Sequence, residues 1–389
     1  MDFDTLIDRR GSYCSKWDAM EQAYGVSPDD GLAMWVADTD FRPPQCVRDA
    51  LAAYVEHGVF GYRQVEDDYF ASIAWWMEHR HGWSIEPDWI TTTYGLGNGI
   101  GMAINAYSKP GDRVVIFTPV YHEFARKIKA AERRVAEMPL KLVDGRYELD
   151  FDRYKTQMTG EETMMIFCSP HNPGGRVWSK AELQAVVAFA KRHDLILVSD
   201  EIHHDLVYSG HTHIPIATLP GVEEFLITTT APSKTFNTAG LRCGQIIIEN
   251  ADLRDRYRRL RTGLDIKENP MGIVMTTACY SAEGAAWTDE LVSYLDQNRQ
   301  VFDEGIAEIP GLRSIKLDGT FLAWVDFSGT GMSREDFTGR VEGVAKIAAN
   351  HGDTFGTGGE NFLRFNLGMP KARIEDAVER LQTAFRDLQ

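Results

Sequence analysis

The sequence predicts an α/β protein: a large, doubly wound, mostly parallel sheet domain with a smaller α+β domain beside it. Three observations carry this. Five short apolar runs cross the middle of the chain without polar alternation, a well-marked helix lies between two of them, and the last third changes pattern. Continuous apolarity suits strands covered by helices on both faces, as in parallel sheets.

The runs are DRVVIFTP (112–119), TMMIFCSP (163–170), LILVSDE (195–201), FLITTTA (225–231) and CGQIIIE (243–249). Between the second and third lies SKAELQAVVAFAKRHD. Ser179 and Glu182 have capping-box spacing, and Leu183, Val186, Val187 and Ala190 share one helical face. That makes it a crossover helix, and a doubly wound sheet follows. In the last third, residues 287–309 form a long helical pattern, followed by strands around FLAWVDF and FLRFNLG. The terminal ARIEDAVERLQTAF places Ile374, Ala377, Val378, Leu381 and Phe385 on one stripe. Residues 45–287 are assigned to the large domain, and 1–44 with 288–389 to the small one. There is no internal repeat.

At 389 residues, with 43% hydrophobic and 25% charged residues, the composition is that of an ordinary globular protein. A net charge of −16 argues against nucleic-acid binding, though a local pair of arginines can still make an anion pocket. No run approaches the roughly 18 apolar residues of a membrane span. The charged start MDFDTLIDRR is unlike a signal peptide, and the five cysteines include no C-x-x-C pair. A cytoplasmic protein with reduced thiols is expected.

The stretch TTTAPSKTFNTAGLRCG (228–244) puts Lys234 in a small-residue loop between two expected strands. A lysine is ordinarily a solvated surface charge. Here Ser233 and Arg242 offer a hydroxyl and a cationic fork suited to a phosphate monoester, at a sheet position where ligands bind. A lysine beside a phosphate site suggests a Schiff base with pyridoxal 5′-phosphate. That cofactor needs a carboxylate at its ring nitrogen, and Asp200 ends a buried run. An aspartate there is as readily a helix N-cap. Asn172, in SPHNPGGRVW, and His203 are candidates for the ring's phenolic oxygen. The Gly-rich TTYGLGNGIGMAINAY opens a helix and offers the Leu96 and Gly97 amides to the phosphate.

SPHNPGGRVW, VSDEIHHDLVY, APSKTFNTAGLR and FLRFNLGMP together resemble the fold-type I pyridoxal-phosphate enzymes of the aminotransferase class I/II superfamily. MWVADTDFRPP, GVFGYRQ and TPVYHEF are similar, more narrowly, to the MalY/PatB-type cystathionine β-lyases (C–S lyases). The likeness runs from about Met34 to the last helix. It implies that Lys234 bears the cofactor, Asp200 pairs with the ring nitrogen, and Tyr121 stacks on the ring; these three are the expected catalytic residues. Asn172, His203, Leu96, Gly97, Ser233 and Arg242 would complete the cofactor site, with Tyr62 arriving from a neighbouring subunit of a homodimer. Arg364 would grip the substrate α-carboxylate beside the Ala37 backbone, with Asn172, Trp35 and Tyr62 near the substrate. Two departures, VADTDF where the family has VADMDF and the phosphate turn LGNG, bear on substrate preference.

The implied activity is β-elimination from L-cystathionine or a related cysteine S-conjugate. Lys234 would be the base, its pKa lowered by the cationic cofactor and Arg242. An aminotransferase is the alternative, and a non-catalytic regulatory protein on this scaffold a more distant one. His203, His204, His211 and His213 cluster with Asp205, but without a metal-site spacing they read as solvated or packing histidines. Cys168 reads as a buried structural thiol. Trp75, Trp76 and Trp83 are expected to pack a helix or the dimer contact.

Overall fold

The computed structural model describes residues 1–388. Helices α1 (Gln45–His57) and α2 (Asp67–His81) lead into a seven-stranded sheet. Its strands are β1 (Ile90–Thr93), β2 (Arg113–Ile116), β3 (Arg134–Glu137), β4 (Glu162–Cys168), β5 (Ile196–Asp200), β6 (Leu226–Thr230) and β7 (Gly244–Ile247). They lie in the order β1-β7-β6-β5-β4-β2-β3. From β3 to β6 the neighbours pair in parallel.

In β4, Met164, Ile166 and Cys168 enter one apolar layer, and Met165 and Phe167 enter the other. Alternate side chains point to opposite faces, so a sheet covered on both sides needs apolar residues at every position. Helix α3 (Leu96–Tyr107) packs on the first layer and α5 (Lys180–Arg192) on the second, with α4 (Glu123–Ala130) between them in sequence. The capping box of α5 is formed, and its Leu183, Val186, Val187 and Ala190 are buried. Such a cap contributes about 1 kcal/mol.

Three features depart from the sequence reading. Strand β7 runs antiparallel to both neighbours. Residues 231–243 are taken up by the Lys234 loop and a short 3₁₀ turn, Ala239–Leu241, leaving no crossover helix, so the chain turns straight back. Strands β1 and β3 gave no apolar run: β1 is mostly threonine, and edge strand β3 (RVAE) buries only Ala136.

A second sheet contains β8 (Arg313–Ser314), β9 (Leu322–Asp326), β10 (Asn350–His351) and β11 (Phe362–Asn366), ordered β8-β9-β11-β10 and antiparallel throughout. Helices α6 (Ala282–Ala307) and α7 (Lys371–Ala384) bury Leu295, Phe302, Ile374 and Leu381 with Val325, Leu363 and Phe365. The N-terminal segment is fastened here. Leu32–Ala33 pairs with Ile347–Ala348, and Asn366 Nδ2 donates to the Val36 and Asp38 carbonyls. Fully buried Lys16 meets Asp40 at 3.1 Å, while Arg9 bridges Asp38 and Asp40. These ties hold residues 35–40 over the carboxyl ends of the large sheet. No helix among the described residues is long and apolar enough to cross a membrane.

Candidate active site

Three adjacent parallel strands deliver the chemistry. Cys168 of β4 is level with Asp200 of β5, and Asp200 with Thr229 of β6. The chains leaving those ends carry Asn172, His203, Ser233 and Lys234 into one place, as expected for an α/β sheet. Opposite them, Gly95 caps α3 at φ +77. Behind it, a Cβ on Gly244 would lie 2.9 Å from the Leu96 nitrogen, so only glycine lets β7 pass the start of α3. The result is a cavity of about 240 Å³. It is lined by Ala37, Leu96, Gly97, Tyr121, Asn172, Asp200, His203, Ser233, Lys234 and Arg242, all anticipated from sequence.

Lys234 Nζ donates to the Ala37 carbonyl at 2.6 Å. Burial, with Arg364 next in effect, brings its amine down to about 8. The charge that matters beside it is therefore Arg364, where the sequence reading named Arg242. Burial pushes the Asp200 carboxyl up to about 7, and the Ile202 amide is its hydrogen-bond donor in the protein. The alternative reading of Asp200 as a helix N-cap fails, since no helix follows it: residues 202–205 form turns. His203 is held neutral by burial and by the Lys234 and Arg364 charges, and its Nδ1 is buried without a partner. Burial also pushes the Tyr121 phenol up to about 12, keeping it protonated.

Neither of the site's two guanidinium groups, Arg242 and Arg364, has a carboxylate partner among the described residues. Arg242 sits at φ +47, a costly conformation for a residue other than glycine, beside the α3 N-terminus and Ser233. Arg364 is 2% exposed and touches Asn172 Oδ1 (3.0 Å), the Trp35 carbonyl (2.9 Å) and Asn350 Oδ1. Its Nε has no partner. A buried cation is normally paired, so Arg364 calls for an anion from outside the chain, while Arg242, exposed at the cavity, is open to a second. Pyridoxal phosphate fits these donors: its phosphate suits Ser233, Arg242 and the α3 amides, its cationic ring nitrogen suits Asp200, and its phenolic oxygen suits Asn172 and His203.

Trp35 presents only its carbonyl to Arg364; its indole turns away and donates to the Lys16 carbonyl at 2.8 Å. Tyr62 does not reach the cavity of its own chain and is fully exposed. Other contributors were missed. Asn237 exchanges three hydrogen bonds with the backbone of Thr39 and Phe41, and so fixes Ala37 against the lysine loop. Its φ of +55 is a position asparagine favours, the one signal in sequence. The Glu123–Lys127 pair (2.8 Å) also lines the cavity. Asn350 reaches Arg364 only because β10 pairs with β11.

The histidines are not solvated as a group. His203, His204 and His213 are buried; His204 lies near Asp205 and His213 pairs with Glu201 at 2.9 Å. Partly exposed His211 lies 3.2 Å from Asp318. Cys168 is buried, and burial raises its thiol well above the ordinary value. Trp76 and Trp83 are buried as packing residues, while Trp75 is partly exposed.

The family model for aminotransferase class I and II matches residues 34–381. A cystathionine β-lyase of Bacillus subtilis, PatB, is 36% identical over 99% of this chain and all of its own. Protein MalY of Escherichia coli is 32% identical over 99% of both chains. Cystalysin from Treponema denticola, whose crystal structure contains pyridoxal 5′-phosphate, superposes with a TM-score of 0.95 at 35% identity. That match covers all of this chain and 99% of cystalysin.

Proposed function

This chain belongs to the aminotransferase class I and II family, and within it we propose that it is a pyridoxal-phosphate-dependent carbon–sulfur β-lyase acting on L-cystathionine or a related cysteine S-conjugate. Full-length likeness to a protein named cystathionine β-lyase favours elimination over transamination. The observation that carries the reading is the convergence of Lys234, Asp200 and an unpaired, buried Arg364 around one cavity and its rim.

The lining of the cavity supports the following roles. Ser233, Arg242 and the Leu96 and Gly97 amides would hold the phosphate, Asp200 the ring nitrogen and Asn172 and His203 the phenolic oxygen, with Tyr121 against the ring. Bound to Lys234, pyridoxal phosphate supplies an electron sink that makes a substrate Cα proton removable. Arg364 offers a planar fork to the substrate α-carboxylate, with Asn172 already in contact. That orients Cα toward Lys234. In the cofactor-free chain burial and Arg364 already bring the Lys234 amine down to about 8, which suits it to take the Cα proton when it is free. The thiolate leaves from Cβ, and addition of water to the remaining three-carbon unit gives pyruvate and ammonia.

We read residues 45–287 as the cofactor-holding domain and 1–44 with 288–389 as the smaller one. A homodimer with shared sites is supported by the exposed Val55, Val59, Phe60 and Tyr62, which lie together on one segment. The five free cysteines suit a cytoplasmic location. The test is direct: L-cystathionine should yield homocysteine and pyruvate. If no cysteine S-conjugate yields pyruvate while amino groups pass rapidly to 2-oxoglutarate, the protein is an aminotransferase.

A further inference from the structure

Asp205 lies in the turn after β5, and its carboxylate is fully buried. Its Oδ1 accepts from Trp76 Nε1 (3.1 Å) and His81 Nε2 (3.0 Å). Its Oδ2 accepts from Thr235 Oγ1 at 2.8 Å and lies 3.4 Å from His204 Nε2. Two partners on each oxygen fill the capacity of a carboxylate. No lysine or arginine pairs with it among the described residues. Burial holds His81 down to about 4, so it meets Asp205 as a neutral N–H donor.

This one group joins three pieces of chain: the end of α2, the turn that carries His203, and the loop that carries Lys234. Thr235 is fully buried and next in sequence to Lys234. Phe236 follows, edge-on to Trp76 at 5.7 Å and stacked on Trp287 at 5.5 Å. We propose that Asp205 is a positioning residue for Lys234, acting through the Thr235 hydroxyl. A lysine ends in a point charge on a flexible four-carbon stem, so its aim depends on how firmly its backbone is anchored.

His81, His204 and Asp205 also lie within reach of a common metal ion. Their geometry favours the network. The two imidazoles stack at 4.2 Å and 22°, which sets their nitrogen lone pairs side by side instead of converging. Trp76 and Thr235 already occupy the carboxylate.

The proposal rests on Lys234 being the cofactor-bearing residue, and the test separates the two ideas. Cofactor-free wild type, Thr235→Val and Thr235→Ser are mixed with pyridoxal phosphate, and the lysine adduct is trapped over time with borohydride and located by mass spectrometry. Thr235→Val should slow both tethering and kcat by about tenfold to a hundredfold with little change in KM, and Thr235→Ser should restore them. Thermal melting shows that each variant is folded. A folded Thr235→Val that tethers at the wild-type rate overturns the positioning role. Wild type trapped at some other lysine overturns the cofactor reading, and this proposal with it. Stoichiometric metal in the purified protein, lost in His81→Phe, makes Asp205 a metal ligand and also overturns it.

Discussion

The Lys234 amine donates a 2.6 Å hydrogen bond to the carbonyl oxygen of Ala37, a residue from the far end of the chain. The bond exists because Asn237 clamps the backbone on either side of residue 40 while Asn366 holds the carbonyls of Val36 and Asp38. The N-terminal segment is thus part of the active site, and predictions about the site are predictions about how several chain segments meet.

Removing Arg364 should disable substrate capture and spare the cofactor. Each charge-assisted bond to the α-carboxylate is worth about 1.5–3 kcal/mol, so Arg364→Ala should lower kcat/KM at least roughly a hundredfold. Cofactor absorbance in the purified variant should match wild type. Loss of bound cofactor in place of loss of substrate affinity would assign Arg364 to the wrong ligand.

Arg242→Ala should have the opposite signature. With one charge-assisted phosphate bond gone, cofactor affinity should weaken roughly ten- to a hundredfold. Dialysis should then strip the variant faster than wild type, and excess pyridoxal phosphate should restore activity. Ordinary retention would place the phosphate elsewhere in the cavity.

Stability of the cofactor-free protein should carry the mark of Asp200. Burial raises its carboxyl from 3.8 to about 7, so the folded chain holds this proton more tightly than the unfolded chain. The resulting stabilisation is fully present below about pH 4 and disappears as pH rises through about 7. Its size is on the order of 4 kcal/mol. Asp200→Asn should flatten that fall, read as the difference between the two pH profiles of urea unfolding. Parallel profiles would show that Asp200 ionises normally.

Mixing experiments address the shared site. Tyr62→Ala and Lys234→Ala should each be inactive, yet a mixture under subunit exchange should recover up to roughly a quarter of wild-type activity. The heterodimer would hold one site with both defects and one with neither. If the subunits demonstrably exchange without recovery, Tyr62 serves its own chain.

Much of this protein could be read residue by residue. The apolar runs around Ile116, Ile166 and Val198 announced buried strands because side chains on both sheet faces must leave water, whatever their neighbours. Ser179 and Glu182 announced a helix start because a cap is satisfied within one turn. Lys234, Asp200 and Asn172 could be ranked as chemistry because each ends or follows such a run, where a sheet exposes its ends. What lay beyond reach were relations between segments distant in sequence. The reversed β7, the approach of Asn350 to Arg364, the Asp205 network and the seating of Ala37 over Lys234 leave no periodic trace in either partner. Periodicity records how each side chain divides between water and core. Which buried polar groups then face one another depends on strand order and on how the two sheets meet, and that is settled only when the whole chain packs.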